Sequence, residues 1–288
     1  MKIAVRDTEL FVDVEGALVV AGESGWVERP TVLMLHPGPG ADHSLYKHLI
    51  GPRLSEVAQV IYVDHRGEGR SDPSEPSRWN LETWADDALA LLDVLEIERP
   101  IVYGASIGSL IAVELAARAP GRLGGLVLVS AAARYLHARS VAVFDRLGGA
   151  EAGEVAARYF GDPTEANFAE YLRVCLPLYT RRGIEPDVVA RMQFNQASAV
   201  LWDREHASHV DVREAAGRVD CPVLVVSGAD DPSFTVAGGQ ELAESLPAHL
   251  CRFVVVDDAG YGVWRDRPDQ IEGLLDFVRA LRPGPAGR

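Results

Sequence analysis

The sequence predicts an α/β protein: an eight-stranded, mainly parallel sheet flanked by helices, with a helical segment inserted into it. Two observations carry this reading. Short β-branched runs alternate with longer stretches of helical periodicity through most of the chain, the pattern of βαβ units on a parallel sheet. Between about residues 133 and 219 that rhythm stops and strand-like runs disappear; it returns from 220 onward. The chain therefore divides into a core formed by 1–132 and 220–288 and an inserted helical lid at 133–219. A length of 288 residues, 48% of them hydrophobic, suffices for one large core.

In chain order, Leu10 to Val14 and Leu18 to Val20 flank Glu15-Gly16 and read as an opening antiparallel hairpin. Thr31 to Leu35 (TVLML) is a continuous apolar run, expected of a strand covered on both faces. Val60 to Val63, Ile101 to Tyr103 and Leu126 to Val129 read the same way. Leu81 to Leu95 has apolar residues at helical spacing, with Asn80 placed to cap it. Ile107 to Ala117 is a second helix, closing near Pro120-Gly121. In the insertion, short helical stretches are broken by Gly149, Gly153, Gly161, Pro163 and Gly183. The βαβ rhythm resumes with the strand Val223 to Val226, a helix over Gly239 to Leu246, the strand Phe253 to Val256 and an amphipathic helix from Asp269 to Leu281. The tail RPGPAGR is expected to be disordered.

Charge narrows the partners. Lys and Arg total 28 against 42 Asp and Glu, a formal net charge of −14. So acidic a surface repels phosphate backbones and anionic lipid, so neither nucleic acid nor a membrane surface is an expected partner. A small molecule is. Cys175, Cys221 and Cys251 are widely spaced, odd in number and set in or beside apolar stretches, as buried thiols of a reducing cytoplasm would be. The N-terminus interleaves charges with apolar residues, and no apolar run is long enough to span a bilayer, so a cytoplasmic protein is expected. Composition leaves the oligomeric state open.

The chemistry centres on Tyr103-Gly104-Ala105-Ser106-Ile107-Gly108, a G-x-S-x-G between a strand and a helix. A serine there sits on a sharp, strained turn, and the small residues at 104 and 108 keep the strand and helix from clashing with it. Its hydroxyl projects above the sheet, while the helix N-terminus and the Ile107 N–H face developing negative charge. Upstream, TVLML runs into His36-Pro37-Gly38-Pro39-Gly40. A loop so rich in Gly and Pro is rigid and admits a ligand close to its backbone. As an oxyanion loop it offers the Gly38 N–H, since Pro37 and Pro39 have none.

HPGPG, then Asp64-His65-Arg66-Gly67-Glu68-Gly69-Arg70-Ser71-Asp72, then GASIG, resembles the α/β-hydrolase superfamily, and within it the proline-iminopeptidase-like branch with its HGGPG and D-x-R-G-x-G-x-S-D motifs. The resemblance covers roughly 8 to 132 and 215 to 281 and implies an α/β-hydrolase fold. Two departures appear: Pro37 stands where the family has glycine, and Glu68 where an uncharged or His side chain is usual. The resemblance also places the triad acid. Leu224-Val225-Val226-Ser227-Gly228-Ala229-Asp230-Asp231-Pro232 matches the family's G-x-x-D at Asp231. The alternative acid position, Ser130-Ala131-Ala132, holds no carboxylate, and Asp230 is expected to point away.

The triad histidine should follow the last strand, in a pattern like G-H-G-x-W-x-x-x-P. The chain reads Ala259-Gly260-Tyr261-Gly262-Val263-Trp264-Arg265-Asp266-Arg267-Pro268, with every landmark present except the histidine. No His occurs after His249, which itself precedes the last strand. A phenol with a pKa near 10 is ionised to only about one part in a thousand at pH 7, and a neighbouring carboxylate raises it further. Tyr261 is therefore a hydrogen-bond donor, to Asp231 or to a substrate oxygen, and not a base for Ser106.

By analogy with triad knock-outs, losing the His costs about a million-fold in rate and leaves about a thousand-fold over water. Three readings stay open: an engineered inactive form of a hydrolase; a natural lyase, cyclase or isomerase with Tyr261 as proton donor; or a small-molecule binding protein without catalysis. His36 and His65 lie at the functional edge of the sheet, the first packing the oxyanion loop in the related family. His137, His206 and His209 lie in the lid within conceivable reach of the pocket. Trp202, Phe194, Met192, Tyr159, Phe160 and Tyr179 are expected mostly in the lid core. Proline iminopeptidases hold a free amino terminus with lid carboxylates, for which Glu151, Glu154, Glu165, Glu170 and Glu185 are the candidates here. No metal or organic cofactor is implied, because no His/Cys/Asp/Glu cluster has ligand spacing and no phosphate loop is present.

Overall fold

A computed structural model of the chain describes residues 1–22 and 25–281. The chain opens with β1 (Lys2–Val5) and β2 (Thr8–Glu15), an antiparallel pair turned at Arg6-Asp7, where Arg6 has a φ of 50°. β3 (Val19–Gly22) and β4 (Gly25–Glu28) form a separate two-stranded ribbon. The expected hairpin between Leu10–Val14 and Leu18–Val20 is therefore incorrect. Both edges of β2 are taken, by β1 on one side and by the sixth strand on the other, leaving none for Leu18–Val20.

The core follows as β5 (Thr31–Leu35), α1 (Ser44–Leu54), β6 (Gln59–Val63), α2 (Leu81–Val94), β7 (Ile101–Ala105), α3 (Ile107–Arg118) and β8 (Gly125–Val129). Five helices come next: α4 (His137–Gly161), α5 (Glu165–Val174), α6 (Pro186–Arg191), α7 (Gln196–Glu205) and α8 (Arg213–Gly217). β9 (Val223–Gly228), α9 (Val236–Ser245), β10 (Cys251–Val256) and α10 (Glu272–Ala280) complete the chain, and the RPGPAGR tail lies outside the described residues.

Eight strands form one sheet in the order β1-β2-β6-β5-β7-β8-β9-β10, parallel from β6 to β10. The eight-stranded expectation holds, with β1 in the place given to Leu18–Val20. The apolar runs at its centre are buried along nearly their whole length because helices cover both faces: α2, α3, α8 and α9 pack on one, α1 and α10 on the other. Asn80 caps α2 as expected, its side chain accepting from the Thr83 N–H at 2.9 Å.

Register decides what meets at the carboxyl edge. Leu35 stands opposite Gly104, and Ala105 opposite Val129, so the loops leaving β5, β7 and β8 emerge side by side. Val129 pairs with Val226, and Val256 with Gly228, which adds the loops after β9 and β10 to the same edge. Between β8 and β9 the described residues contribute helices and only one isolated bridge, Arg134 to Asp211. Gly149, at φ 75° and ψ −176°, breaks α4 into two helical pieces as expected, while Gly153 stays helical and buried in the second piece.

Candidate active site

Ser106 joins β7 to α3 at φ 56° and ψ −123°, a conformation that is strained for any residue but glycine. The turn exists because its neighbours have no side chains. A Cβ on Gly104 would lie 2.3 Å from the Gly108 carbonyl oxygen, and one on Gly108 would lie 2.2 Å from that of Leu35. The Ser106 N–H is anchored on the Val129 carbonyl at 3.1 Å, which leaves the side chain at the mouth of the helix and facing a cavity.

The backbone of Gly38 adjoins α3: a Cβ there would lie 3.8 Å from Ile107 Cγ2. Among the described residues, neither the Gly38 nor the Ile107 amide donates to a protein acceptor.

Asp231 follows β9 and is 1% exposed. Oδ1 accepts the Ser233 and Phe234 amides at 2.9 and 2.8 Å. Oδ2 is buried without a hydrogen-bond partner. Burial pushes the carboxyl up to about 7, against the pull of the Ser130 hydroxyl and the two amides. Ser130, at φ 48°, occupies the alternative acid position, and its Oγ accepts the Gly262 amide at 2.9 Å. Asp230 turns outward as expected, in ion pairs with Arg146 and Arg181.

Tyr261 is held by its N–H on the Tyr179 carbonyl at 2.7 Å, with the two rings edge to face at 5.2 Å. Its hydroxyl makes no hydrogen bond to Asp231, whose charge acts on it together with Ser106, Tyr46 and Tyr179. Burial, followed by the Tyr46 hydroxyl, raises the phenol well above its ordinary value, so it stays protonated at neutral pH. Of the two partners expected for this donor, Asp231 is not engaged, since its Oδ2 has no hydrogen-bond partner.

The histidines divide sharply. His36 donates through Nδ1 to the Pro37 carbonyl at 2.6 Å, and its Nε2 accepts the His65 amide at 3.0 Å, so both ring nitrogens are engaged. The His65 ring lies tilted against that of His36 with centroids 3.9 Å apart, and burial lowers its pKa well below the ordinary value. His206 packs on Trp202, and His209 is exposed beside Ser208. His137 alone among them reaches the cavity wall, stacked on Phe160 at 4.5 Å.

The cavity above Ser106 measures about 480 Å³. Trp202, Phe194, Met192, Tyr159, Phe160 and Tyr179 all line it, which corrects their expected placement in the lid core. The helices around it are short and thin, so one aromatic ring serves both the packing of the insertion and the wall. Six of the chain's eight tyrosines border the space (Tyr46, Tyr135, Tyr159, Tyr171, Tyr179 and Tyr261), making its polar component mainly neutral phenol. None of Glu151, Glu154, Glu165, Glu170 and Glu185 lines it.

The carboxylate in the wall is Asp203, which sequence reasoning missed. It takes the Tyr159 hydroxyl, and burial raises its pKa to about 6. Ala199, Trp202 and Asp203 share a helical face at i, i+3 and i+4, a spacing that was available as a signal. Tyr46, whose buried hydroxyl has no partner, and Arg265, paired with Glu185, were missed as well; no local pattern marks them. Among the described residues, no group of three or more His, Cys, Asp or Glu side chains is placed to hold a metal ion, and no helix is long and apolar enough to cross a membrane.

Comparison with known proteins agrees with this architecture. The chain is 29% identical over 229 residues to 3-oxoadipate enol-lactonase 2 of Acinetobacter baylyi, covering 77% of this chain and 79% of that protein. It is 27% identical to the Karrikin insensitive 2 receptor IA of Petunia hybrida, covering 75% of this chain and 78% of the receptor. The crystal structure of proline iminopeptidase from Mycobacterium smegmatis superposes with a TM-score of 0.75 at 21% identity, over 97% of each chain, which is a likeness of fold. Residues 30–261 match the α/β hydrolase fold family, and with the serine turn, the sheet order and the loop cluster in place, the chain belongs to that family.

Proposed function

We propose that this protein is a hydrolase-fold enzyme that binds a small ester, amide or related carbonyl compound above Ser106 and is impaired as a hydrolase because Tyr261 stands at the triad histidine position. In this reading Ser106 is the nucleophile, Asp231 the acid, and the Gly38 and Ile107 amides the oxyanion donors. Residues 1–132 and 220–288 form the catalytic core, and 133–219 act as a lid that sets substrate choice.

The observation that carries the reading is the pairing of a serine at a strained turn with a buried Asp231 oxygen that lacks any partner. An imidazole between them would donate to Asp231 and take the serine proton. The phenol does neither: it is protonated, and it makes no hydrogen bond to Asp231. The wall is apolar and aromatic, which suits an uncharged acyl or lactone group. The proline-iminopeptidase-like motifs add a branch to this reading, although the lid glutamates expected to hold an amino terminus do not line the cavity.

A second reading has its own support. Tyr261 lies beside Ser106 with its proton retained, so it is placed to protonate a substrate oxygen in an elimination, cyclisation or isomerisation.

The exchange Tyr261→His tests the assignment. If the elbow and Asp231 still serve a hydrolase, turnover of small activated esters rises by orders of magnitude, and slow labelling of Ser106 by serine-directed phosphonates becomes fast. Were the native chemistry carried by the phenol, both Tyr261→His and Tyr261→Phe would abolish the native reaction without an ester gain. A binding protein would show altered affinity only.

A further inference from the structure

Glu68 sits in the middle of the D-x-R-G-x-G-x-S-D loop, and the chemistry at Ser106 makes no use of it. Its side chain is 1% exposed. One carboxyl oxygen accepts the Gly40 N–H at 2.9 Å, and the other takes the hydroxyl of Ser198 in α7, itself buried. Other bonds run between the same segments. The Asn195 N–H donates to the Gly40 carbonyl at 2.7 Å, the Asn195 side chain to the Gly67 carbonyl at 2.9 Å, and the Gln193 N–H to Asp42 at 3.0 Å. Gly40 itself, at φ 94°, has no space for a side chain, since a Cβ would lie 2.7 Å from the Asn195 carbonyl oxygen.

We propose that Glu68 is a positioning residue that locks the Gly38–Ala41 loop to the first turn of α7, so that the loop beside Ser106 and the helix carrying Ala199, Trp202 and Asp203 into the cavity wall move as one body. A buried carboxyl is the side chain that can do this, because it offers two oxygens in a plane, one to each segment. Two hydrogen bonds at a buried junction also couple more tightly than apolar contact, since breaking either leaves a buried polar group unsatisfied.

The surroundings favour a neutral lock. Burial pushes Glu68 up to about 8, and the ionised group that faces it is Asp64, of the same sign. Asp64 is itself occupied by His43 and by the Arg70 amide, while the Arg70 guanidinium is paired with Asp42. From α7 comes the Ser198 hydroxyl, and from the loop after β5 the Gly40 amide. Ionising Glu68 therefore places an uncompensated charge inside the junction and loosens it. The consequence for the aim of the Gly38 amide rests on the function proposed above; the lock itself does not.

Hydrogen exchange on the full chain tests the lock, comparing wild type with Glu68→Gln, Glu68→Ala and Ser198→Ala and using α2 of the same molecule as the reference for intrinsic pH dependence. Glu68→Ala and Ser198→Ala should raise exchange in 38–42 and 191–202 together, by about tenfold. Glu68→Gln, which keeps an acceptor for Gly40 and a donor for Ser198, should hold both segments at the wild-type rate. Moving from about pH 7 to about pH 9 should loosen both segments in wild type and leave Glu68→Gln unchanged. The proposal is overturned if one segment loosens without the other, or if Glu68→Gln follows the wild-type pH response. Should Glu68→Ala fail to fold, Ser198→Ala and Glu68→Gln decide alone. The same pattern alongside a Tyr261→His that gains no esterase activity leaves the lock standing while the nucleophile assignment fails.

Discussion

At the scale of single residues, the site turns on one oxygen. Asp231 keeps the two amide bonds that fix its orientation, yet Oδ2 is desolvated and unpartnered. If that oxygen orients an incoming imidazole, Asp231→Asn placed on top of Tyr261→His should cut the restored ester turnover by about ten-thousand-fold, through loss of the correct tautomer. The same Asp231→Asn in the otherwise native chain should leave the residual hydrolysis nearly unchanged, because Tyr261 does not use the carboxylate. Steady-state kinetics with an activated ester distinguishes the two; an equal loss in both backgrounds would mean that Asp231 acts on the fold and not on a base.

At the scale of elements, the junction of β7 and α3 is where local structure and chemistry coincide. Gly108 packs against the carbonyl oxygen of Leu35, a backbone atom that cannot rotate aside. Gly108→Ala should therefore destabilise by about 1–3 kcal/mol or more, despite the better helix propensity of alanine. Denaturant unfolding measures this, and a neutral result would show that β5 and α3 can part without cost. The G-x-S-x-G motif made this junction legible in the sequence, as did TVLML for β5. The fate of Leu18–Val20 was not legible: pairing depends on which edges of β2 are free, and that is settled by β1 and β6, which are distant in pattern though near in space.

At the scale of the molecule, three acids hold their protons unusually tightly: Glu68 to about 8, Asp231 to about 7 and the half-buried Asp203 to about 6. In each, desolvation is the main cause. An unfolded chain releases these protons in the ordinary carboxylate range, so above it the native state binds more protons than the unfolded one. Stability from these groups is complete below that range and is lost as pH rises through about 8. Thermal unfolding between about pH 5 and pH 8 should show a falling Tm, and Glu68→Gln should flatten its upper part. A Tm that climbs across this window would contradict the burial described here. The cavity makes a second prediction. Bulky, uncharged esters or lactones should raise the Tm at saturating concentration by mass action, and short charged acids should not. Equal shifts from both would mean that the aromatic wall does not select.

By itself the sequence determined the core strands β5 to β10, the helices after β6, β7, β9 and β10, the serine turn, the carboxylate after β9 and the absence of a histidine after β10. Each of these is written in neighbouring residues: period-2 and period-3.6 patterns, glycines at forced positions, and a motif of fixed spacing. Only the tertiary structure decided that Tyr261 makes no bond to Asp231, that the aromatics of 133–219 line the cavity, that Asp203 is its carboxylate, and that Glu68 bonds a loop and a helix separated by more than a hundred residues. Those outcomes depend on which side chains meet across elements, and on how far water is excluded where they meet, neither of which a linear pattern encodes.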